Sequence, residues 1–162
     1  MSSQKKKYHM SMAGEYLVAA QLQRYEIASS VTYGNAKSAD VIAFYPDLER
    51  VAIIEVKTSS RGQWIIGNRV PEPSDRLWVF VHLPENPVEP PEFFILTQAE
   101  IHKELKPGEE AYMKRYKEKH GEEYGNRRGV TTMKKKQALK YKDRWETIIN
   151  ALTINNTQKR KE

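Results

Sequence analysis

The chain has 162 residues and a mass of 18.9 kDa, is 39% hydrophobic and 30% charged, and contains no cysteine. That length supports one domain with a real core, and the missing cysteines exclude disulfides, thiolate metal sites and thiol nucleophiles, in keeping with a cytoplasmic protein. The longest apolar runs, Val51 to Ile54 and Leu77 to Val81, fall far short of the roughly 20 residues that span a bilayer, so no membrane partner is expected. Lys5, Lys6 and Lys7 are followed by no apolar stretch of the kind a secretory signal requires.

The formal charge of +6 is unevenly spread. Residues 1–110 hold 12 Lys and Arg against 15 Asp and Glu, a net of −3, and residues 111–162 hold 15 against 6, a net of +9. The reading is therefore a core over residues 1–110 and a basic helical extension over 111–162, packed together as one domain. A basic face beside a carboxylate-bearing body suits a polyanion, because neutralising phosphates releases counterions. A solvated lysine-rich face has the same composition.

In chain order, the spacing of Met12, Tyr16, Leu17, Ala19, Ala20 and Leu22 predicts a helix over about 11–25, apolar on more than one face. A weak strand at Val31 to Tyr33 is closed by Gly34 and Asn35. Two strong strands follow, Ala39 to Tyr45 and Val51 to Thr58, joined by the turn Pro46 to Glu49. Leu77 to Leu83 and Phe93 to Thr97 read as further strands, and Gln98 to Leu105 as a short helix stopped before Pro107 and Gly108. Between Thr132 and Leu152, apolar residues at three- and four-residue spacing predict a helix capped by Thr131 or Thr132, its Trp145 face on the body and its other face carrying Lys135, Lys136, Lys140, Lys142 and Arg144. Residues Asn155 to Glu162 read as a polar, frayed end. Together these elements predict an α/β or α+β layered fold.

The chemistry gathers in Ser38-Ala39-Asp40-Val41-Ile42 and Ile53-Ile54-Glu55-Val56-Lys57. Strand side chains alternate, so Glu55 and Lys57 share a face roughly 6.6 Å apart. Both interrupt a run that reads as central and buried, where charges are costly unless paired or bound to a metal. Pairing Ile42 with Ile53 and Phe44 with Val51 puts Asp40 opposite Glu55, two carboxylates about 5 Å apart at Cβ. Two such oxygens call for a hard cation, Mg²⁺ or Mn²⁺. The Pro46-Asp47 pair lies in the turn, about 20 Å from that point, so Asp40 is the candidate.

These residues resemble the PD-(D/E)XK phosphodiesterase superfamily, in particular its archaeal Holliday junction resolvase and Mrr-like branch, over about residues 10–100: Gly14-Glu15 on the first helix, Asp40 on one strand, Glu55-Val56-Lys57 on the next. The residue before Asp40 is Ala39 where the motif's name has proline. The resemblance implies a restriction-endonuclease-like core with a central mixed sheet flanked by helices. It implies that Asp40, Glu55 and the Val56 carbonyl hold Mg²⁺ (or Mn²⁺), that Lys57 orients or activates water, and that Glu15 assists from the helix. A metal-dependent endonuclease acting on DNA is the expected function, with Arg61, Lys135, Lys136 and Lys140 as backbone contacts and a possible homodimer to cut both strands. The rivals are a non-cleaving nucleic-acid-binding or accessory protein on the same fold, and a protein whose basic tail binds an acidic partner. His9, His82, His102 and His120 lack ligand spacing and read as structural or exposed, and Trp64, Trp78 and Trp145 read as core. Tyr112, Tyr116 and Tyr124, interleaved with Lys114, Arg115, Lys117, Arg127 and Arg128, read equally as a nucleic-acid surface or a basic loop.

Overall fold

A computed structural model describes residues 3–32, 39–45 and 50–153. The Pro46 to Glu49 turn, Tyr33 to Asn35, Ser38 and the polar end from Asn155 lie outside the described residues. Helix α1 (Ser3–Arg24) is followed by β1 (Ala28–Val31), β2 (Val41–Tyr45) and β3 (Arg50–Ser59). Then come β4 (Gln63–Gly67), β5 (Leu77–His82), β6 (Glu92–Thr97) and the long helix α2 (Gln98–His120). The chain closes with β7 (Thr131–Lys134), the short α3 (Lys135–Ala138), a 3₁₀ turn (Leu139–Tyr141) and α4 (Glu146–Thr153). No helix among the described residues is long and apolar enough to cross a membrane.

The fold is α/β, with a mixed five-stranded sheet ordered β1-β2-β3-β5-β6. β2 and β3 pair antiparallel in the expected register, Ile42 with Ile53 and Phe44 with Val51, while β3 and β5 run parallel, Ile54 with Leu77 and Glu55 with Trp78. One face of the sheet, with Val41, Ile54 and Val79, packs under α1 and α4 through Val18, Leu22, Trp145, Ile148 and Leu152. The opposite face, with Trp78, Phe80, Phe94 and Leu96, is covered by Ile101 and Leu105 of α2 and by Trp64 and Met133 of a separate β4–β7 ribbon. The three tryptophans are thus core, and Trp64 Nε1 satisfies its donor on the Val81 carbonyl at 3.0 Å.

Several expectations change. α1 starts at Ser3 rather than near Ser11, because its first turns are polar on every side and leave no periodicity to read. The first strand lies at Ala28–Val31, three residues ahead of Val31 to Tyr33. α2 continues through Pro107 to His120. Pro107 sits on the exposed face, so the Lys103 carbonyl it leaves without a partner meets water. Beyond it, Glu109 accepts the Val70 N–H at 3.0 Å, and Gly121, at φ 70°, caps the end on the Lys117 carbonyl. The single helix expected from Thr132 to Leu152 is instead β7, two short turns and α4. Thr131 to Lys134 pair with β4, and Asp143, at φ 54° with its N–H on the Phe93 carbonyl, breaks the helical path. Residues after 110 therefore serve both faces of the core, and they are only partly helical.

The helix α1 comes unusually close to β3. A Cβ on Gly14 would lie 1.8 Å from Thr58 Oγ1, so only glycine permits this approach. At Gly108, on α2, an added Cβ would meet nothing within 4 Å. Alanine at these two helical glycines should act with opposite sign. In urea denaturation, Gly14→Ala is expected to cost about 1–3 kcal/mol through overpacking, and Gly108→Ala to gain up to about 1 kcal/mol from helix propensity.

Candidate active site

β3 is the central strand, but only its Ala52, Ile54 and Val56 face is buried throughout, whereas Val51 and Ile53 are exposed on the other face. The expectation of burial on both faces fails because α2 covers β5 and β6 and leaves this part of the sheet bare. Glu55 and Lys57 extend that second face, beside Trp78 and Phe80 of β5. Lys57 Nζ lies 2.9 Å from Glu55 Oε1 and 5.8 Å from the centre of the Trp78 ring. The other oxygen, Glu55 Oε2, meets Arg76 Nη2 at 3.0 Å. Arg76 had no motif to mark it; the parallel pairing of Ile54 with Leu77 is what brings it beside Glu55.

Asp40 stands just before β2. Its N–H donates to the Ile54 carbonyl at 3.1 Å, and its Oδ2 accepts the Val56 N–H at 2.8 Å. The carboxylate thus binds the β3 backbone where the β2 ladder has ended, a contact that fixes its orientation. Glu15 comes from α1, in mid-helix rather than near the helix start, so a favourable end-of-helix dipole does not account for it. It is buried, and burial, followed by the negative charge of Asp40, pushes its carboxyl up to about 7, against the pull of Lys57.

A cleft of about 290 Å³ is lined by Glu15, Asp40, Val56 and Lys57, together with Gln63 and Ile65 of β4. Four of the five residues expected at the catalytic and metal site are therefore brought together, from three separate stretches of chain. Glu55 is absent from that lining and reaches the cleft only through Lys57. Among the described residues, no three His, Cys, Asp or Glu side chains gather as a metal-holding group. The donor chemistry nevertheless fits a hard divalent ion, since two carboxylates, Glu15 and Asp40, face one cleft and the charge of Asp40 raises the cost of ionising Glu15.

The expected nucleic-acid contacts separate. Arg61 is exposed in the turn after β3, its N–H donating to Ser59 Oγ at 3.1 Å, and Lys136 is also exposed. Lys135 pairs with Glu92, and Lys140 lies 2.6 Å from Glu104. Lys142 and Arg144, from the same basic segment, pair with Glu92 and Glu100, each at 2.8 Å. Much of this basic face is therefore spent on acidic residues of the body. The histidines do structural work or stay at the surface: His82 lies between Glu92 and the Ser60 carbonyl, His102 on the Pro71 carbonyl, and His120 stacks on Tyr116. His9 is exposed beside Tyr8.

No protein-family model, curated protein or solved structure matches the chain.

The raised Glu15 carboxyl makes stability depend on pH. Its folded value, about 7, lies above the ordinary 4.5, so its contribution is complete below about pH 4.5 and is lost as pH rises through 7. In EDTA, the wild type is expected to lose up to roughly 3 kcal/mol from this group between pH 5 and 8, and Glu15→Gln should remove that slope. Denaturation curves at the two pH values check this; an unchanged slope in the variant would place the titration elsewhere.

Proposed function

We propose that the protein is a divalent-metal-dependent phosphodiesterase that hydrolyses DNA at the cleft between α1, β3 and β4. One observation carries the reading: Glu15, Asp40 and Lys57, from a helix, a strand entry and the central strand, line the same cleft. Asp40 and Glu15, with the Val56 carbonyl, would hold Mg²⁺ or Mn²⁺. Glu55 joins that set only by giving up an oxygen now held by Lys57 or Arg76. A bound ion supplies Lewis acidity toward the phosphate and a more acidic water.

The chain's own groups do the remaining work. Glu55 holds the Lys57 ammonium at 2.9 Å, so a fixed positive charge stands at the cleft beside the phosphate and the attacking water. Gln63, across the cleft on β4, offers both a donor and an acceptor to orient that water. The Val56 N–H keeps Asp40 Oδ2 in place, and Oδ1 would be the oxygen offered to a ligand. A second reading, a nucleic-acid-binding protein that does not cleave, draws on the closed Lys57–Glu55–Arg76 ion pair, which satisfies both Glu55 oxygens with no metal.

Cleavage of supercoiled plasmid, single strands and a four-way junction in Mg²⁺, Mn²⁺ or EDTA separates the two. The nuclease is expected to cut only with metal and to lose at least about a hundredfold in rate in Asp40→Ala and in Lys57→Ala, the scale of a removed transition-state contact. Metal-independent binding without any cutting, kept by both variants, would leave the binding protein.

A further inference from the structure

We propose that a second cavity, beside the β4–β7 ribbon, receives an unpaired nucleobase of single-stranded nucleic acid; this rests on the nuclease reading for the strand it belongs to. The cavity measures about 530 Å³, within the range of small-molecule sites, and lies between α2, the end of β4 and β7.

Its walls have the chemistry of base stacking. Tyr112 and Tyr124 meet edge to face at 5.5 Å, and the Arg69 guanidinium lies 4.6 Å from the centre of the Tyr124 ring. Aromatic rings and guanidinium planes are the surfaces on which unstacked bases settle. Tyr112 is half exposed, so part of its ring is open to a ligand. The remaining polar lining includes Glu104 and Glu109. Glu109 already takes the Val70 N–H and Lys106, and Glu104 takes Lys140 and the Tyr141 hydroxyl on Oε1, so among the described residues Glu104 Oε2 is the oxygen that remains to accept from a base amino or imino group.

The ribbon supplies the reason for a strand rather than an isolated base. Gln63 and Ile65 line the catalytic cleft, and their ladder partners, Lys134 and Thr132, line the cavity. Paired residues in such a ribbon are roughly 5 Å apart at Cα. One strand pair is therefore the shared wall of both sites, and the exposed Lys134 stands on that wall where a phosphate between the two would pass. A phosphate in the cleft would place a neighbouring base at the cavity mouth. The substrate class that follows is DNA with an unpaired stretch.

The test uses the full chain in EDTA and reads fluorescence anisotropy of a labelled 12-nucleotide single strand and of the matching blunt duplex, with adenosine monophosphate as competitor. Gly108 lines the cavity in mid-helix with open space before it, so Gly108→Leu fills the cavity while improving helix propensity. The variant is expected to melt no lower than wild type and to bind the single strand roughly five- to a hundredfold more weakly, the worth of one stacked base, with duplex binding unchanged. Tyr112→Leu should repeat the loss. Equal single-strand binding by wild type and Gly108→Leu overturns the proposal, and so does competition by the mononucleotide at the strand's own affinity, which would mark a free-nucleotide site. Mg²⁺-dependent cutting of the single strand and of a four-way junction by the same preparations keeps the two readings apart. Cutting with single-strand binding that ignores Gly108→Leu removes the base site alone; cavity-dependent single-strand binding without cutting sustains the base site and removes the nuclease.

Discussion

The contact between Gly14 and Thr58 is the constraint on which the candidate site depends. A helix normally stands off a sheet by the depth of its side chains, and here one missing side chain removes that spacing at a single point. The consequence falls on the next residue. Glu15 is carried toward the end of β3, where it loses water and meets the charge of Asp40. Val18 and Leu22, further along the same helix, are buried on the sheet and hold the approach in place. The burial of an acidic group is thus a result of helix packing, and its proximity to Lys57 follows from the same geometry.

The charge asymmetry of the chain finds an intramolecular explanation. Glu92, on β6, is met by Lys135 and Lys142 from the C-terminal segment and by His82, and hydrogen bonds from the two lysines hold its carboxyl down near 2. Glu100 and Glu104, on α2, take Arg144 and Lys140. The acidic excess before residue 110 and the basic excess after it are, in part, two halves of one set of pairs. They fasten the last third of the chain against β6 and α2. Partly exposed pairs of this kind are individually weak, and their effect here is to orient the segment whose apolar residues complete the core. The positive charge left for a polyanion is correspondingly smaller than composition suggests, and among the described residues it includes Arg61, Lys134 and Lys136 together with Lys114, Arg115 and Lys119 on α2 and Arg128 after it.

The sequence was most readable where hydrophobic period and turn chemistry agreed. The β2–β3 register, the strands β5 and β6 and the burial of Trp145 all followed from alternation or helical spacing. Alternation also put Glu55 and Lys57 on one face, and the hairpin register put Asp40 level with them. The misses have a common cause, which is that pairing partners distant in sequence leave no local trace. Thr131 and Thr132 read as the cap of a helix whose spacing runs from Ala138 to Leu152, yet Thr131 to Lys134 form a strand because β4 offers an edge to pair with. The signal was present in the β-branched and aromatic run Trp64-Ile65-Ile66 between Gly62 and Gly67, and in Val130-Thr131-Thr132. Arg76 could be placed beside Glu55 only by knowing that β3 and β5 run parallel. Pro107 reads as a stop, although a proline on the solvent side of a well-capped helix leaves only a carbonyl for water to satisfy.

The β4–β7 ribbon joins residues 63–67 to residues 131–134. As the chain is synthesised from its N-terminus at about 5–20 residues per second, every strand of the main sheet, and all of Glu15, Asp40, Glu55 and Lys57, exists several seconds before the partner of β4 does. The sheet can close first, because its pairings are nearer in sequence and carry a smaller loop-closure cost. The outer wall of the cleft is assembled last. An incomplete chain would hold the chemical groups of the site without the surface that encloses a substrate beside them.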